Sequence, residues 1–372
     1  MSHFLRNLRR VGREIRDVPL GQLPETLTGF AKPKLEKAFE EALYRSGLMA
    51  FSSRRFSGLG IALMFHEIQD DVEGELYTGC PQSQLARILA EVKKSGREIV
   101  TIEEGLQRLK DPANSKPFAL LTFDDAYRDN LSNALPVLED AAAPMTLFVP
   151  TGMITRQIDT WWLGLRDLLR VNQELHFPPM DRLFRCTDLL EKSAALRQIT
   201  AWIGTDQSRA EQLGSFLSAL GIDGPALVDR YAMDRETLQA FAAHPLVTIG
   251  AHTDTHRILS ALDDETVLTE FVSNKAFLEE LTGVEVSYLA YPYGTEGACG
   301  LREADMAARA GFKGAFTTRP GHLFPEHLSS PFLLPRIDVG YFPQRQSALA
   351  SRLTGFQRAR LTRWREPVAT LT

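Results

Sequence analysis

Short apolar runs alternate with amphipathic segments along most of this 372-residue chain. The amphipathic segments, at 82–95, 129–142, 263–282 and 301–311, have the spacing of helices with one apolar face. Near-continuous apolar strands that alternate with helices indicate a parallel sheet buried on both faces. Seven or eight such units predict an α/β fold whose sheet closes, or nearly closes, into a barrel. The apolar runs are GIALMFH, EIVTI, FALLTF, PMTLFVPTG, LVTIGAH, VSYLAYPYG, FKGAFTT and LLPRIDV.

One long segment interrupts this alternation. About ninety residues, 155–243, lie between FVPTG and LVTIGAH and are patterned as several helices with no strong strand. The pattern predicts a helical insertion at the rim formed by the C-terminal strand ends, where long excursions are tolerated. The barrel domain would then span 57–345.

The two ends of the chain differ from the barrel. Residues 1–56 are predicted to form a helical extension, and 346–372 a basic tail. Near the N-terminus an apolar stripe runs among arginines, which fits a helix on an anionic membrane or, more ordinarily, a helix docked on the protein itself. The stripe consists of Phe4, Leu8, Val11 and Ile15. Peripheral membrane contact through the basic ends is therefore the less ordinary of two interpretations.

Composition excludes some classes of protein. The formal net charge of -5 argues against a nucleic-acid-binding protein, because no basic surplus neutralises phosphates. Three distant cysteines, Cys80, Cys186 and Cys299, form no C-x-x-C pair and fit a reducing compartment. The sequence has neither the apolar core of a signal peptide nor a run long enough to span a membrane. We predict a cytoplasmic protein, with the inner membrane face as an alternative position.

Polar residues follow several of the predicted strands. They are His66, Asp124, Asp125, His252, His256 and Tyr293. The C-terminal strand ends of a parallel barrel share one mouth, so these side chains are expected to meet there.

The adjacent carboxylates of Asp124 and Asp125 need an explanation. Two such charges about 4 Å apart repel by roughly 4 kcal/mol at an effective dielectric near 20, so water or a cation should offset them. Adjacent side chains can serve one site only if the strand ends there. One interpretation is a catalytic metal site completed by His252 and His256, whose i, i+4 spacing places them on one side of a helical turn. The alternatives are aspartates that cap the following helix and ordinary structural histidines.

At these residues the chain resembles a known family. TFDDAYRDN, HTDTH and YPYG resemble the first three signature motifs of the polysaccharide deacetylases, carbohydrate esterase family 4, which include nodulation-type chitooligosaccharide deacetylases. The resemblance covers about residues 58–153 and 244–340. It implies a distorted (β/α) barrel that removes N-acetyl or O-acetyl groups from sugar polymers with a divalent metal, commonly zinc.

The resemblance also implies roles for individual residues. Asp124 would be the general base, and Asp125, His252 and His256 would bind the metal. The backbone N–H of Tyr293, after Pro292, would help to stabilise the oxyanion.

Some positions depart from the family pattern. Ala126 stands where the first motif usually has glycine, at a backbone position where φ > 0 or close substrate approach is expected. Ala290 and Tyr291 stand where an arginine commonly orients the base. Arg336 in LLPRIDV is the predicted replacement, paired with Asp124; an ordinary surface arginine is an equally good alternative.

The late histidine that serves many members as general acid has no clear match, since His322 and His327 follow no apolar strand. His66 is therefore the predicted acid, with Asp338 holding its other nitrogen; a structural histidine is the alternative.

The rim supplies candidate substrate contacts. We predict sugar binding by Trp161 and Trp162, with Tyr127 and Pro292 beside them. Packing of the insertion against the barrel is the plainer role for the tryptophans, and the two roles are compatible. Cys80 is interpreted as a packing residue. The leading hypothesis is removal of N-acetyl groups from an N-acetylglucosamine-containing oligo- or polysaccharide. The rivals are an O-acetyl esterase with the same site and a catalytically silent barrel that binds saccharide or protein.

Overall fold

The computed structural model describes residues 38–72, 76, 79–340 and 345–369. The predicted apolar stripe near the N-terminus lies outside these residues. Of the predicted helical extension, residues 38–45 and helix α1 (Ala50–Phe56) are helical. No helix in the described ranges is long and apolar enough to cross a lipid bilayer.

The centre of the protein is a parallel sheet. Seven strands follow one another in the order β11-β10-β9-β6-β5-β1-β12, and β4 pairs in addition with β5. These strands are β1 (Gly60–Phe65), β4 (Glu98–Ile99), β5 (Phe118–Asp124), β6 (Met145–Val149), β9 (Val247–Ala251), β10 (Tyr288–Ala290), β11 (Gly314–Phe316) and β12 (Ile337–Asp338). A short parallel pair, β2 (Ile68–Gln69) and β3 (Cys80–Pro81), lies outside the main sheet.

One chain segment closes the sheet into a ring. Leu334 donates its N–H to the Ala315 carbonyl and accepts from the N–H of Thr317, beside β11. A few residues later, Ile337 pairs with Leu63 of β1. The segment 334–338 therefore joins the two ends of the sheet, and the predicted distorted (β/α) barrel is confirmed.

Each of the eight predicted apolar runs contains one of these strands. The central strands β1 and β5 are buried at every position, because a parallel sheet covered on both faces has no solvent side. The predicted helical segments also form helices, including the long α11 (Asp264–Thr282). Asp263 caps α11 by accepting from the N–H of Thr266 at 2.8 Å.

The remaining helices cover the barrel or build the insertion. Those around the barrel and in the tail are α2 (Gln82–Lys94), α3 (Ile102–Lys110), α4 (Leu135–Ala141), α5 (Thr151–Thr155), α12 (Leu301–Arg309), α13 (Gln346–Leu353) and α14 (Phe356–Leu361). Those of the insertion are α6 (Trp161–Val171), α7 (Leu189–Ile203), α8 (Gln207–Ala219), α9 (Gly224–Tyr231) and α10 (Arg235–Ala242).

The insertion differs from the sequence prediction in one respect. It contains an antiparallel hairpin of β7 (Glu174–Phe177) and β8 (Arg182–Arg185), where only helices were expected. The alternation is present in the sequence, since Leu175 and Phe177 are buried while their neighbours are exposed. Four residues are too short a stretch for this period-two signal to compete with the helical pattern around it. The hairpin packs in a separate apolar core of the insertion.

A buried ion pair fastens the insertion to the barrel. Arg166 of α6 donates through Nη1 to both carboxylate oxygens of Glu67, at 2.5 and 2.6 Å. Both side chains are buried. The Arg166 guanidinium also lies 4.3 Å from the Tyr231 ring centroid. Because Glu67 directly follows His66, this pair holds the insertion against the mouth of the barrel.

Arg166→Ala is expected to lower the free energy of unfolding by about 3–5 kcal/mol, because it leaves the Glu67 carboxylate buried without its cation. Chemical denaturation measures the change. The matched control is Arg309→Ala, which removes an exposed arginine 3.9 Å from Asp305 and should cost no more than about 1 kcal/mol. Equal losses in the two variants would contradict the assigned role of the buried pair.

Candidate metal centre and active site

The two aspartates lie where β5 ends. Asp124 is the last residue of the strand, and Asp125 leaves it with φ 75°. This change of direction lets two adjacent side chains enter one site, as the sequence argument required. Both carboxylates are buried.

Asp124 is held by the arginine predicted from LLPRIDV. Arg336 donates to its two carboxylate oxygens at 2.7 and 2.8 Å, and both side chains are buried. Burial raises the pKa of Asp124, but the charges of Arg336, His252 and His66 and the Arg336 hydrogen bond outweigh it and give a net lowering. Asp124 is therefore an oriented anion, as a general base must be.

Three possible metal ligands face one another. Asp125 Oδ1 lies 3.5 Å from His252 Nε2 and 3.4 Å from His256 Nε2. His252 Nδ1 lies 2.7 Å from the Ala290 carbonyl, which can only accept, so this nitrogen carries the proton and Nε2 faces the site. Among the described residues, these three side chains form the one cluster of at least three His, Cys, Asp or Glu with ligand atoms this close.

The spacing of these atoms suits a metal ion better than direct hydrogen bonds. Charge-assisted N–H···O bonds are about 2.7–2.9 Å long, whereas ligands about 2.0 Å from a tetrahedral zinc ion lie about 3.3 Å apart. Asp125 Oδ1 is buried and has no hydrogen-bond partner among the described residues. The donor set of two imidazoles and a carboxylate therefore fits a divalent metal with open coordination positions.

The electrostatics of the three groups agree with this fit. The three imidazoles near Asp125 lower its pKa although burial raises it. Burial lowers the pKa of His256 to about 4. For His252, burial lowers the pKa, but the nearby charges of Asp124 and Asp125 help to outweigh burial and the net shift is upward. The cluster thus combines an ionised carboxylate, Asp125, with a neutral imidazole, His256, and both are forms that can bind a cation.

The helical turn predicted for HTDTH is wrong. The two histidines lie on an irregular loop in which Thr253 and His256 have φ of 66° and 55°. Their rings nevertheless approach, with centroids 5.0 Å apart. The i, i+4 spacing therefore indicated the correct pair of histidines, although the two residues do not lie on a helical turn.

Two residues that the sequence analysis missed hold this loop. Glu270 on α11 accepts from the N–H groups of Asp254 and Thr255, both at 2.8 Å. Asn274, one turn further, accepts from the His252 N–H at 2.9 Å. The available signal was a pair of polar residues, four apart, on the inward face of the helix predicted at 263–282.

His66 and Tyr293 lie around Asp124 and the ligands. His66 Nε2 is 3.9 Å from Asp124 Oδ2. Burial raises the pKa of Asp338, although the charge of His66 opposes the shift. That Asp338 accepts a hydrogen bond from the other nitrogen of His66 stays a prediction. Tyr293 has φ 61°, its ring centroid is 5.3 Å from that of His256, and within the described ranges its backbone N–H donates to no other residue.

The predicted substrate contacts divide into one accessible and three buried side chains. Tyr127, Trp161 and Pro292 are buried. The Tyr127 hydroxyl accepts from Trp162 Nε1 at 2.6 Å, and Trp161 Nε1 donates to the Tyr293 hydroxyl at 3.2 Å. Trp162 is half-buried, with its ring centroid 5.1 Å from that of His256. In this structure Tyr127 and Trp161 support the wall of the site, and Trp162 forms part of it.

The structure also gives the surroundings of Cys80 and of the positions that depart from the family pattern. Ala126 has φ 55°, so the positive φ expected for the usual glycine is present. Its methyl group is fully buried. Burial raises the pKa of the Cys80 thiol to about 12, in agreement with a packing role. Tyr291 donates its hydroxyl to the Phe332 carbonyl and is fully buried.

The fold and site together define a (β/α)-barrel protein with a candidate metal centre at the C-terminal strand ends. The family model for polysaccharide deacetylases matches residues 111–313, more than half of the chain, and the chain belongs to this family. Membership supports a hydrolytic deacetylase acting on a polysaccharide. His66 and Arg336 lie outside the matched range. A search of curated protein sequences gave no significant match.

Solved structures show the same fold at low sequence identity. The Streptococcus pyogenes deacetylase PplD, in complex with acetate, aligns at TM-score 0.50 and 17% identity over 75% of this chain and 92% of PplD. IcaB from Ammonifex degensii aligns at TM-score 0.50 and 16% identity over 79% of this chain and 97% of IcaB.

The two late histidines lie in buried positions away from the ligand cluster. His322 Nε2 donates to the Arg352 carbonyl at 2.8 Å, and His327 Nε2 lies 3.2 Å from the Ala369 carbonyl. Burial lowers the pKa of His322 from 6.5 to about 3. Neither residue replaces the missing acid.

His322 predicts a pH dependence of stability. Between about pH 6.5 and 3 the unfolded chain binds a proton at this residue and the folded protein does not. The contribution of neutral His322 to the free energy of unfolding is therefore complete above pH 6.5. It falls by about 1.4 kcal/mol for each pH unit as the pH is lowered through this window. His322→Gln, which retains a donor but does not titrate, should make the free energy of unfolding depend less steeply on pH in urea titrations. His176→Gln, at an exposed position of the hairpin, should leave the slope unchanged, and an unchanged slope in His322→Gln would contradict the prediction.

Proposed function

We propose that this protein is a metal-dependent deacetylase that removes N-acetyl groups from an N-acetylglucosamine-containing oligo- or polysaccharide. The observation that carries the proposal is the arrangement at the end of β5. A ligand carboxylate, Asp125, faces two imidazoles, and the adjacent Asp124 is held as an anion by Arg336. Metal-assisted hydrolysis needs an ion-binding cluster directly beside an oriented base.

Asp125, His252 and His256 would hold the ion, and zinc suits this donor set best. A bound divalent ion supplies Lewis acidity, which polarises the acetyl carbonyl and lowers the pKa of water. Asp124 then removes the proton from the attacking water, and Arg336 keeps the receiving oxygen ionised and in place.

Two further groups of the chain complete the reaction. The backbone N–H of Tyr293, which donates to no other described residue, would donate to the carbonyl oxygen as negative charge develops on it. His66, whose Nε2 lies 3.9 Å from Asp124 Oδ2, would protonate the departing nitrogen. The base and the acid thus border the same reacting centre.

A general acid, here His66, favours an amide substrate over an ester substrate. An amine must be protonated before it leaves, whereas an alkoxide depends less on a proton donor. Trp162 at the rim offers an aromatic plane to the C–H face of a sugar ring. An N-acetylated saccharide met in the cytoplasm or at the inner membrane face fits these features and the sequence-based localisation.

The division of roles between the aspartates is testable. Asp125→Asn should lose bound metal, because an amide oxygen is a weak ligand compared with a carboxylate. Asp124→Asn should keep metal at one ion per chain and lower turnover by about 10²–10⁴-fold, because only the base is removed. Elemental analysis of the purified variants, together with acetate release from N-acetylglucosamine oligomers, measures both effects.

Glu139→Gln, a change at a partly exposed carboxylate of α4 that pairs with His244, serves as the control and should leave metal and turnover unchanged. Equal loss of metal in both aspartate variants would contradict the division of roles. A wild-type protein without stoichiometric metal or acetate release would favour the silent binding barrel.

The amide preference has its own test. The protein should release acetate from N-acetylated oligomers with a kcat/KM at least about tenfold above that for O-acetylated oligomers of equal length. His66→Ala should reduce amide turnover by about 10²-fold or more while sparing ester turnover, because only the amine needs the proton. Acetate assays on the two substrate series measure this ratio, and an ester preference in the wild-type protein would replace the proposal with the O-acetyl esterase.

A further inference from the structure

Four large apolar side chains near the two ends of the described chain are exposed to solvent. Leu48 and Phe51 are 50% and 65% exposed, and Leu361 and Trp364 are 59% and 47% exposed. Three exposed arginines accompany them. We call these seven residues the terminal patch; its arginines are Arg55, Arg363 and Arg365.

Contacts between α1 and the tail make the patch one surface. Arg55 Nη2 donates to the Arg365 carbonyl at 3.2 Å. Phe56 packs edge-on against Trp364, with ring centroids 5.6 Å apart. Ser52 Oγ donates to the Thr354 carbonyl at 3.3 Å on the buried side of α1. Because this packing fixes the two segments against each other, the exposed side chains lie on neighbouring elements.

The charge of the patch is opposite to that of the whole protein. Residues 345–365 contain six arginines and no acidic residue, although the chain has a formal net charge of -5. Of the six, Arg345 pairs with Glu40 at 2.9 Å, and Arg360, Arg363 and Arg365 are exposed. The next acid, Glu366, lies 3.6 Å from Arg358. Arg363 and Arg365 border Trp364 on both sides. The terminal patch is therefore locally basic and apolar at the same time.

We propose that the terminal patch docks the protein on an anionic lipid bilayer. Exposed Leu, Phe and Trp side chains insert at the boundary between head groups and acyl chains, and arginines bind lipid phosphates. A locally basic surface on an acidic protein also selects for a partner of dense negative charge. The sequence has a second basic and apolar segment at 1–16, and stable interfacial binding commonly needs two such signals.

The patch and the active site lie at opposite ends of the barrel. Phe56 ends α1 shortly before Gly60, where β1 begins, whereas His66 follows the other end of β1. Six strand residues span about 20 Å. Docking through the patch would leave the mouth open to a saccharide, and this inference does not depend on the reaction proposed above.

Vesicle sedimentation of the full chain tests the proposal. We expect the protein to bind vesicles of phosphatidylcholine containing about one third phosphatidylglycerol, to be released by high salt, and to bind pure phosphatidylcholine much more weakly. Phe51→Ser/Leu361→Ser and Arg363→Glu/Arg365→Glu should each lower the partition coefficient by about tenfold or more. Deacetylation of soluble oligomers should be unchanged in both variants.

The matched control is Leu301→Ser/Arg309→Glu, which makes the same types of change on the exposed face of α12. It should bind vesicles like the wild-type protein. Arg363→Glu/Arg365→Glu alters only exposed side chains. It therefore still tests the proposal if Phe51→Ser/Leu361→Ser folds poorly. Absent or charge-independent vesicle binding, or equal loss in the control, would overturn the proposal. So would a dimer in size-exclusion chromatography that Phe51→Ser/Leu361→Ser dissociates, because the patch would then join two copies of the chain.

Discussion

The buried ion pair between Arg336 and Asp124 is the interaction on which the rest of the site depends. Two unscreened charges inside a protein are costly unless each meets the other with good geometry. Here the guanidinium meets both carboxylate oxygens and also donates through Nε to the Thr317 carbonyl at 3.0 Å. Arg336 lies on the segment that joins β11 to β1. The segment that closes the barrel therefore also supplies the arginine that orients Asp124.

The metal centre, by contrast, is built on irregular backbone. Asp125, Thr253, His256 and Tyr293 all have positive φ, a conformation that costs L-residues of order 1 kcal/mol or more each. The surrounding structure must hold them, and α11 does so through buried polar side chains that fix the loop after β9. The barrel thus supplies rigid strand ends, while the helices around it keep the strained loops in the positions that bring the ligands together.

Much of this could be predicted from the sequence because the signals were local or repeated. Every predicted apolar run contains a strand, since a parallel sheet buried on both faces requires continuous apolar segments. Parallel strands in a barrel share one mouth, so polar residues at their ends could be expected to meet. That argument placed His66, Asp124, Asp125 and His252 in one site before any distance was known. The positive φ at Ala126 was expected from the glycine that its motif usually carries.

The sequence by itself determined the barrel, the strand ends and the residue types available there, because these follow from periodicity and short motifs. Only the tertiary structure decided which partners meet. Arg336 lies 212 residues from Asp124, and the sequence could equally have placed it on the surface. Tertiary packing also buried Tyr127 behind Trp162, replaced the expected helical turn with a loop, and made Glu270 the support of that loop. Such contacts depend on burial and on long-range packing, which have no local pattern.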